Sequence, residues 1–152
     1  MISFVRVDNR LIHGQVVQSW LPEIKPAKVL VISEQAAQSK LMAKMMRMAL
    51  PQGYDLEIIK AEEAPSVLKK DEAKKVFVLV EDLNQLSQLA GQKIALEEVN
   101  IGNTKYEEGK KQFSAGVYFD KSDLDIIENL KKQNISFNIK ALPSSLEAKI
   151  NA

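Results

Sequence analysis

Two runs constrain this chain more than any others: Lys28 to Ser33 (KVLVIS) and Lys75 to Val80 (KVFVLV). Each is apolar at consecutive positions and rich in β-branched residues, with no polar alternation. Such a strand is covered on both faces, as in the interior of a parallel sheet. Parallel strands need crossovers, and helical periodicity fills the gaps. Ser33 or Glu34 opens a helix with the stripe Leu41, Met42, Met45, Met46 and Ala49, stopped by Pro51 and Gly53. The methionines are read as core packing, because methionine fills irregular gaps. Tyr54 to Lys60 (YDLEIIK) alternates in part and is read as a more exposed strand. Ala61 to Lys70 is a short helix with Pro65 in its first turn.

The alternation continues to the end. Asp82 and Gln85 stand at capping-box spacing for a helix carrying Leu83, Leu86 and Leu89 and ending at Gly91. Ile94 to Ile101 is a strand, Gly102-Asn103 a turn, and Tyr106 to Lys111 an exposed connection. Phe113 to Phe119 is another strand, in which Gly116 signals close backbone approach. Ser122 and Asp125 are spaced to cap a helix carrying Leu124, Ile127 and Leu130. Ile135 to Ala141 is the last strand, and Pro143-Ser144 lead into a short helix with Glu147. The whole pattern predicts one α/β domain, residues 1–152, with a mainly parallel twisted sheet and helices on both faces.

Composition excludes several classes of function. Twenty-one Lys and Arg against 20 Asp and Glu leave a net charge of +1, which makes no electrostatic case for nucleic acid or an anionic membrane. There is no cysteine, so disulfides, zinc thiolates and thiol catalysis are out. The N-terminus enters a strand bearing Arg6 and Asp8, unlike a signal peptide. No apolar run approaches the roughly 20 residues of a membrane helix. The expectation is a soluble protein that meets a membrane only through a partner.

The chemistry concentrates in Val5 to Val17, VRVDNRLIHGQVV. A strand breaks at Asp8-Asn9-Arg10, presents the chain's single histidine, His13, and turns into a helix with Val16, Val17 and Trp20 at helical spacing. Strand end, polar loop and helix N-terminus together form a place for an anion. The loop lacks both the Gly-x-Gly-x-x-Gly and the Gly-x-x-x-x-Gly-Lys patterns, so nucleotide binding has no support. A metal site would need ligands the chain does not supply, and no nucleophile-elbow Gly-x-Ser-x-Gly occurs. For His13, general acid–base work and covalent phosphoryl carriage remain, beside the plain alternative of a structural hydrogen-bonder. The neighbours favour carriage. Arg10 offers a planar fork to phosphate oxygens, and the N–H groups near Gly14, Gln15 and Val16 add to it, with Gly14 permitting close approach. Arg6 and Asp8, two apart on one strand face, are read as a supporting pair. Trp20 is read as a core anchor, and Ser33 and Asp82 as helix caps.

Phe4 to Val16, with its Arg-Leu-Ile-His-Gly-Gln string and Trp20 beyond, resembles the start of the IIB component of the mannose/fructose/sorbose family of the bacterial sugar phosphotransferase system. Weaker matches run along the chain: Val29 to Glu34, Pro51, Gly53, Val99-Asn100-Ile101-Gly102 and Pro143. The resemblance implies a cytoplasmic phosphocarrier with an α/β fold and no cofactor. It would accept a phosphoryl group on His13, generally at Nδ1, from a IIA partner, and pass it to a sugar held by membrane IIC and IID partners. Arg10 would stabilise the group in transit, with Asn9, Gly14 and Gln15 binding phosphate. Asn9, Asn103 and Glu108-Gly109-Lys110-Lys111 lean toward members assigned to N-acetylgalactosamine and related amino sugars, rather than mannose, fructose or sorbose. Self-association is compatible with this reading. The competing reading is a regulatory module in which His13 is at most a signalling mark.

Overall fold

The computed structural model describes residues 1–148 and 150. The two apolar runs form the strands β2 (Lys28–Ile32) and β4 (Val76–Val80), buried at every position. With β1 (Ile2–Asp8), β3 (Asp55–Ile59), β5 (Glu98–Asn103) and β8 (Ser136–Ile139) they build a six-stranded sheet in the order β3-β2-β4-β1-β5-β8, parallel throughout. The half-exposed β3 lies at one edge, as its alternation predicts.

Chain direction assigns the helices to faces. Crossovers from β1 to β2 and from β2 to β3 run one way along the sheet, and the rest run the other way. Right-handed connections therefore put α1 (Leu21–Ile24), α2 (Glu34–Ala37) and α3 (Lys40–Ala49) on one face. They put α4 (Ala64–Lys70), α5 (Leu83–Gly91) and α6 (Lys121–Lys131) on the other. The buried clusters divide accordingly. Trp20, Leu21 and Met46 pack on Val29, Val31, Phe77 and Leu79. On the opposite side Val67, Leu86, Leu89, Ile127 and Leu130 pack on Leu30, Ile32, Val78 and Val80.

Five expectations need correction. The helix read as opening at Ser33 or Glu34 and carrying Leu41 to Ala49 is two: α2 ends at Ala37, and Ser39 Oγ, accepting from Met42 N–H at 3.1 Å, opens α3. The run Phe113 to Phe119 is not one strand but an antiparallel hairpin, β6 (Lys111–Ser114) and β7 (Val117–Phe119), outside the main sheet. Gly116 turns it at φ 73°, a left-handed value that suits glycine. Strand β5 starts at Glu98, not Ile94, and runs on through Gly102 and Asn103 instead of turning there. The cap of α6 is Asp120, reciprocally bonded with Asp123, rather than Ser122 with Asp125. The segment after Pro143 is a turn held by Leu142 N–H donating to Ser145 Oγ, and Ala148 then bridges antiparallel to Ile139, so no helix forms among the described residues there.

Core packing holds for only part of the methionine stripe. Met42 and Met46, with Leu50 beyond, recur every four residues and meet the sheet face. Leu41, Met45 and Met48 project from the outer side of α3, 68 %, 60 % and 77 % exposed.

Candidate active site

Strand β1 delivers Asp8 to the carboxyl edge of the sheet, between β4 and β5. The chain leaves β1 in one direction and leaves β4 and β5 in the other, so a crevice opens there. Asp8 then shapes its own loop. Its carbonyl accepts from Leu11 N–H at 3.1 Å, and its Oδ1 accepts from Arg10 N–H at 2.9 Å. Leu11 takes a left-handed conformation, φ 59°, which is strained for a side chain of its kind. Burial of Leu11 and Ile12 in the core offsets that strain and aims the next residue, His13, back over Asp8. The first helical bond runs from Val17 N–H to His13 C=O at 3.0 Å. The N–H groups of residues 14–16 precede it, and the helix passes through a π turn, Val16–Trp20, into α1.

The hydrogen bonds select one form of the histidine. His13 Nε2 lies 2.8 Å from Asp8 Oδ2, and Gln15 N–H donates to His13 Nδ1 at 3.3 Å. Burial pushes the Asp8 carboxyl up, but bonds from His13 and Arg10 and the charge of Arg6 outweigh burial and hold it below the usual carboxylate range. An ionised carboxylate can only accept, so Nε2 carries the proton. Nδ1, facing an N–H donor, keeps its lone pair. This bonding fits an imidazole that donates from Nε2 to Asp8 and turns Nδ1 toward the helix N-terminus.

Two arginines share Asp8. Arg10 reaches Oδ1 through Nε and Oδ2 through Nη2, both at 3.3 Å, and its Nη2 also donates to Gln15 Oε1 at 2.9 Å. Its side chain is 39 % exposed, so its outer edge is free to meet a ligand. Arg6 is wholly buried. Its Nε and Nη2 donate to Asp8 Oδ2, and its Nη1 donates to Asn100 Oδ1 at 2.7 Å and Lys140 C=O at 3.0 Å. Burial lowers its affinity for a proton more than Asp8 restores it. Its guanidinium lies over Trp20, 5.1 Å from the ring centroid. Trp20 is the core anchor its position predicts, stacked on Phe4 and bonded from Nε1 to Ala141 C=O at 2.9 Å.

The remaining sequence candidates separate. Gln15 joins the cluster through Arg10 and His13. A Cβ on Gly14 would meet no protein atom within 4 Å, so space above the backbone is open to a ligand. Asn9 is turned instead toward Asn103, whose Nδ2 donates to Asn9 Oδ1. Ser33 and Asp82 cap α2 and α5, and Glu81 is bonded by Ser33 Oγ at 2.6 Å, which turns these acids from His13. Sequence reasoning missed Asn100 and Gly102 as site residues. A lone asparagine in the apolar run VNI is a signal for a buried polar partner. Among the described residues no group of three or more His, Asp or Glu is placed to hold a metal, and no helix is long and apolar enough to cross a membrane.

His13, with Nδ1 bonded only by a backbone N–H, a part-exposed arginine and helix N–H groups converge at the carboxyl edge of a parallel α/β sheet. The chain matches the family description PTS system sorbose subfamily IIB component over residues 2–152, and it belongs to that family of phosphotransferase components. It is 30% identical over 151 residues to the N-acetylgalactosamine-specific phosphotransferase enzyme IIB component 1 of Escherichia coli strain K12, covering 98% of this chain and 96% of that one. It is 22% identical over 152 residues to the mannose-specific EIIAB component of the same strain, covering 99% of this chain and 47% of that one. The crystal structure of the Escherichia coli N-acetylgalactosamine-specific IIB component 1 superposes with a TM-score of 0.93 at 29% identity, covering 99% of this chain and all of the other. The family assignment makes the protein a phosphocarrier component in sugar uptake.

Proposed function

We propose that His13 Nδ1 is the atom that carries the phosphoryl group, received from a IIA component and passed to a sugar bound by the membrane subunits IIC and IID. The observation that carries this reading is the pair of bonds on the imidazole, Nε2 to Asp8 Oδ2 at 2.8 Å and Gln15 N–H to Nδ1. They orient the one nucleophilic lone pair. In the first transfer Nδ1 attacks phosphorus, the donor's N–P bond breaks, and its electron pair returns to the donor nitrogen. The His13 ring keeps its Nε2 proton, so positive charge develops on the ring and Asp8 is its counter-charge. In the second transfer the sugar hydroxyl oxygen attacks, the Nδ1–P bond breaks with its pair returning to Nδ1, and the hydroxyl proton leaves to a base at the sugar site. Arg10 and the N–H groups of residues 14–16 supply the charge stabilisation.

The EIIAB architecture of the mannose relative supports a IIA donor. The name of the Escherichia coli relative supports an N-acetylgalactosamine or related amino-sugar acceptor over mannose, fructose or sorbose. Such a carrier works in the cytoplasm and reaches the membrane through IIC and IID. The test is intact mass and peptide mapping after incubation with a phosphorylated IIA protein, for wild type and His13→Ala. One added phosphoryl group on wild type alone is the expected result. An unmodified wild type, folded and offered a competent donor, would overturn the reading in favour of a regulatory module.

A further inference from the structure

Strand β5 takes part in this site without touching the reacting histidine. Arg6 pairs with Asn100 across the sheet and Val7 with Ile101, but Asp8 pairs with Asn103. Gly102 is therefore an extra residue, a bulge in β5 beside the site. A Cβ on Gly102 would fall inside the Arg6 guanidinium. The bulge and the missing side chain make the berth in which that guanidinium lies. Asn100, 1% exposed, fixes it there: Oδ1 accepts from Arg6, while Nδ2 donates to Asn138 Oδ1 at 2.7 Å and to Lys140 C=O at 3.1 Å. Asn138 is held in turn by Glu98, its Nδ2 donating at 2.8 Å.

The berth matters because of what Asp8 would do without Arg6. Asp8 is wholly buried and bonded to His13. A buried carboxylate with too little compensating charge draws a second proton onto a neighbouring imidazole, which would then be an imidazolium with Nδ1 blocked. Asp8 must orient His13 without ionising it. The charges bonded to this pair are Arg10 on the loop and Arg6 on β1. Glu81, following β4, is turned to Ser33 and Gln85, and Glu98 on β5 is reached only through Asn138. Arg10 is half in solvent and has work at the phosphoryl group. Arg6 alone is permanently committed to Asp8.

The geometry points to Asn100 and Gly102 as positioning residues that lock Arg6 onto Asp8 and so keep His13 a neutral, Nδ1-nucleophilic imidazole. The inference rests on the carrier reading for its consequence but not for its protonation claim. Two variants test it. Gly102→Ala evicts the guanidinium while leaving its charge in the protein. Asn100→Asp preserves size and the acceptor for Arg6 but divides the arginine between two carboxylates. Melting temperature establishes that each is folded. Ring 15N shifts then report whether Nδ1 is protonated, and phosphoryl uptake from a phosphorylated IIA protein is followed across pH.

The expected result is Nδ1 protonated in the variants at neutral pH, where wild type keeps it free. Uptake at pH 7 falls about tenfold and is restored by raising the pH by about one unit, the equivalent displacement of a proton equilibrium. A purely structural role would lower the melting temperature without moving the pH profile. Wild-type protonation in both folded variants, with an uptake profile coincident with wild type, overturns the inference. If wild type accepts no phosphoryl group, the carrier reading fails and the ring shifts alone decide this one.

Discussion

The sheet carries a buried ion cluster at each end, and the two are built differently. At the amino edge, Lys28 on β2 sits between Asp71 and Glu57, with Lys74 and Lys70 outside them. Lys28 and Asp71 are almost fully buried, and each answers the other. At the carboxyl edge one carboxylate, Asp8, is shared by two arginines and a histidine. The first cluster is closed: its groups are spent on one another. The second ends on His13, which gives Asp8 one nitrogen and keeps the other. Buried charge by itself is weak evidence of function, since paired ions are also ordinary structural devices. Capacity left over, on the nitrogen not given to Asp8, is what separates the site from the staple.

That contrast can be broken from either side. Lys28→Met leaves Asp71 buried without its main partner and should cost about 3–5 kcal/mol, the usual penalty for stranding half of a buried pair. Denaturant unfolding measures it, and phosphoryl uptake by the folded fraction should stay at the wild-type rate. Arg10→Ala should do the reverse. Its side chain is 39 % exposed, so stability changes little, while losing one charge-stabilising donor slows uptake about a hundredfold. A rate equal to wild type would remove Arg10 from the chemistry.

The pH dependence of stability sharpens the comparison further. The bond from Lys28 holds the Asp71 carboxyl low in spite of burial. A depressed carboxyl contributes stability above the ordinary carboxylate range, and that stability is lost as pH falls below about 4. Burial pushes Lys28 down, but Asp71 and Glu57 outweigh it and raise it above 10.5. A raised amine contributes stability that is complete below that value and lost as pH rises through the higher one. Melting temperature scanned across pH should show both limbs in wild type. Lys28→Met should weaken the alkaline limb, leaving the part due to Lys110, which Asp123 also raises against burial, and keep an acid limb from Asp8 and Asp120, which are also held low. The smallest effect belongs to Gly14→Ala. No protein atom opposes the new methyl, so melting temperature should stay within a few degrees, with uptake reduced a few-fold where the methyl meets the phosphoryl oxygens.

Much of this was legible in the residues, for identifiable reasons. Strands β2 and β4 stand out because burial on both faces leaves no polar position in them after Lys28, the first residue of β2. The placement of His13 follows from one local feature, a strand that ends in polar residues before a helix. The pairing of Arg6 with Asp8 follows from two residues on one strand face. The hairpin at Gly116 was hidden because its two strands read as one apolar run. The turn after Pro143 was hidden because Ser144 and Glu147 mimic a capping box. Asn100 was hidden because its partner Arg6 lies 94 residues away, and only the pairing of β1 with β5 brings them together.

The most direct test of the account is the atom of attachment. His13 phosphorylated by a IIA protein should be examined by 31P and 15N NMR in the intact protein, without acid. The account predicts a single phosphohistidine at Nδ1, with Nε2 still bearing a proton bonded to Asp8. A phosphoryl group on Nε2 would contradict it, because that nitrogen is the one the structure has already given away.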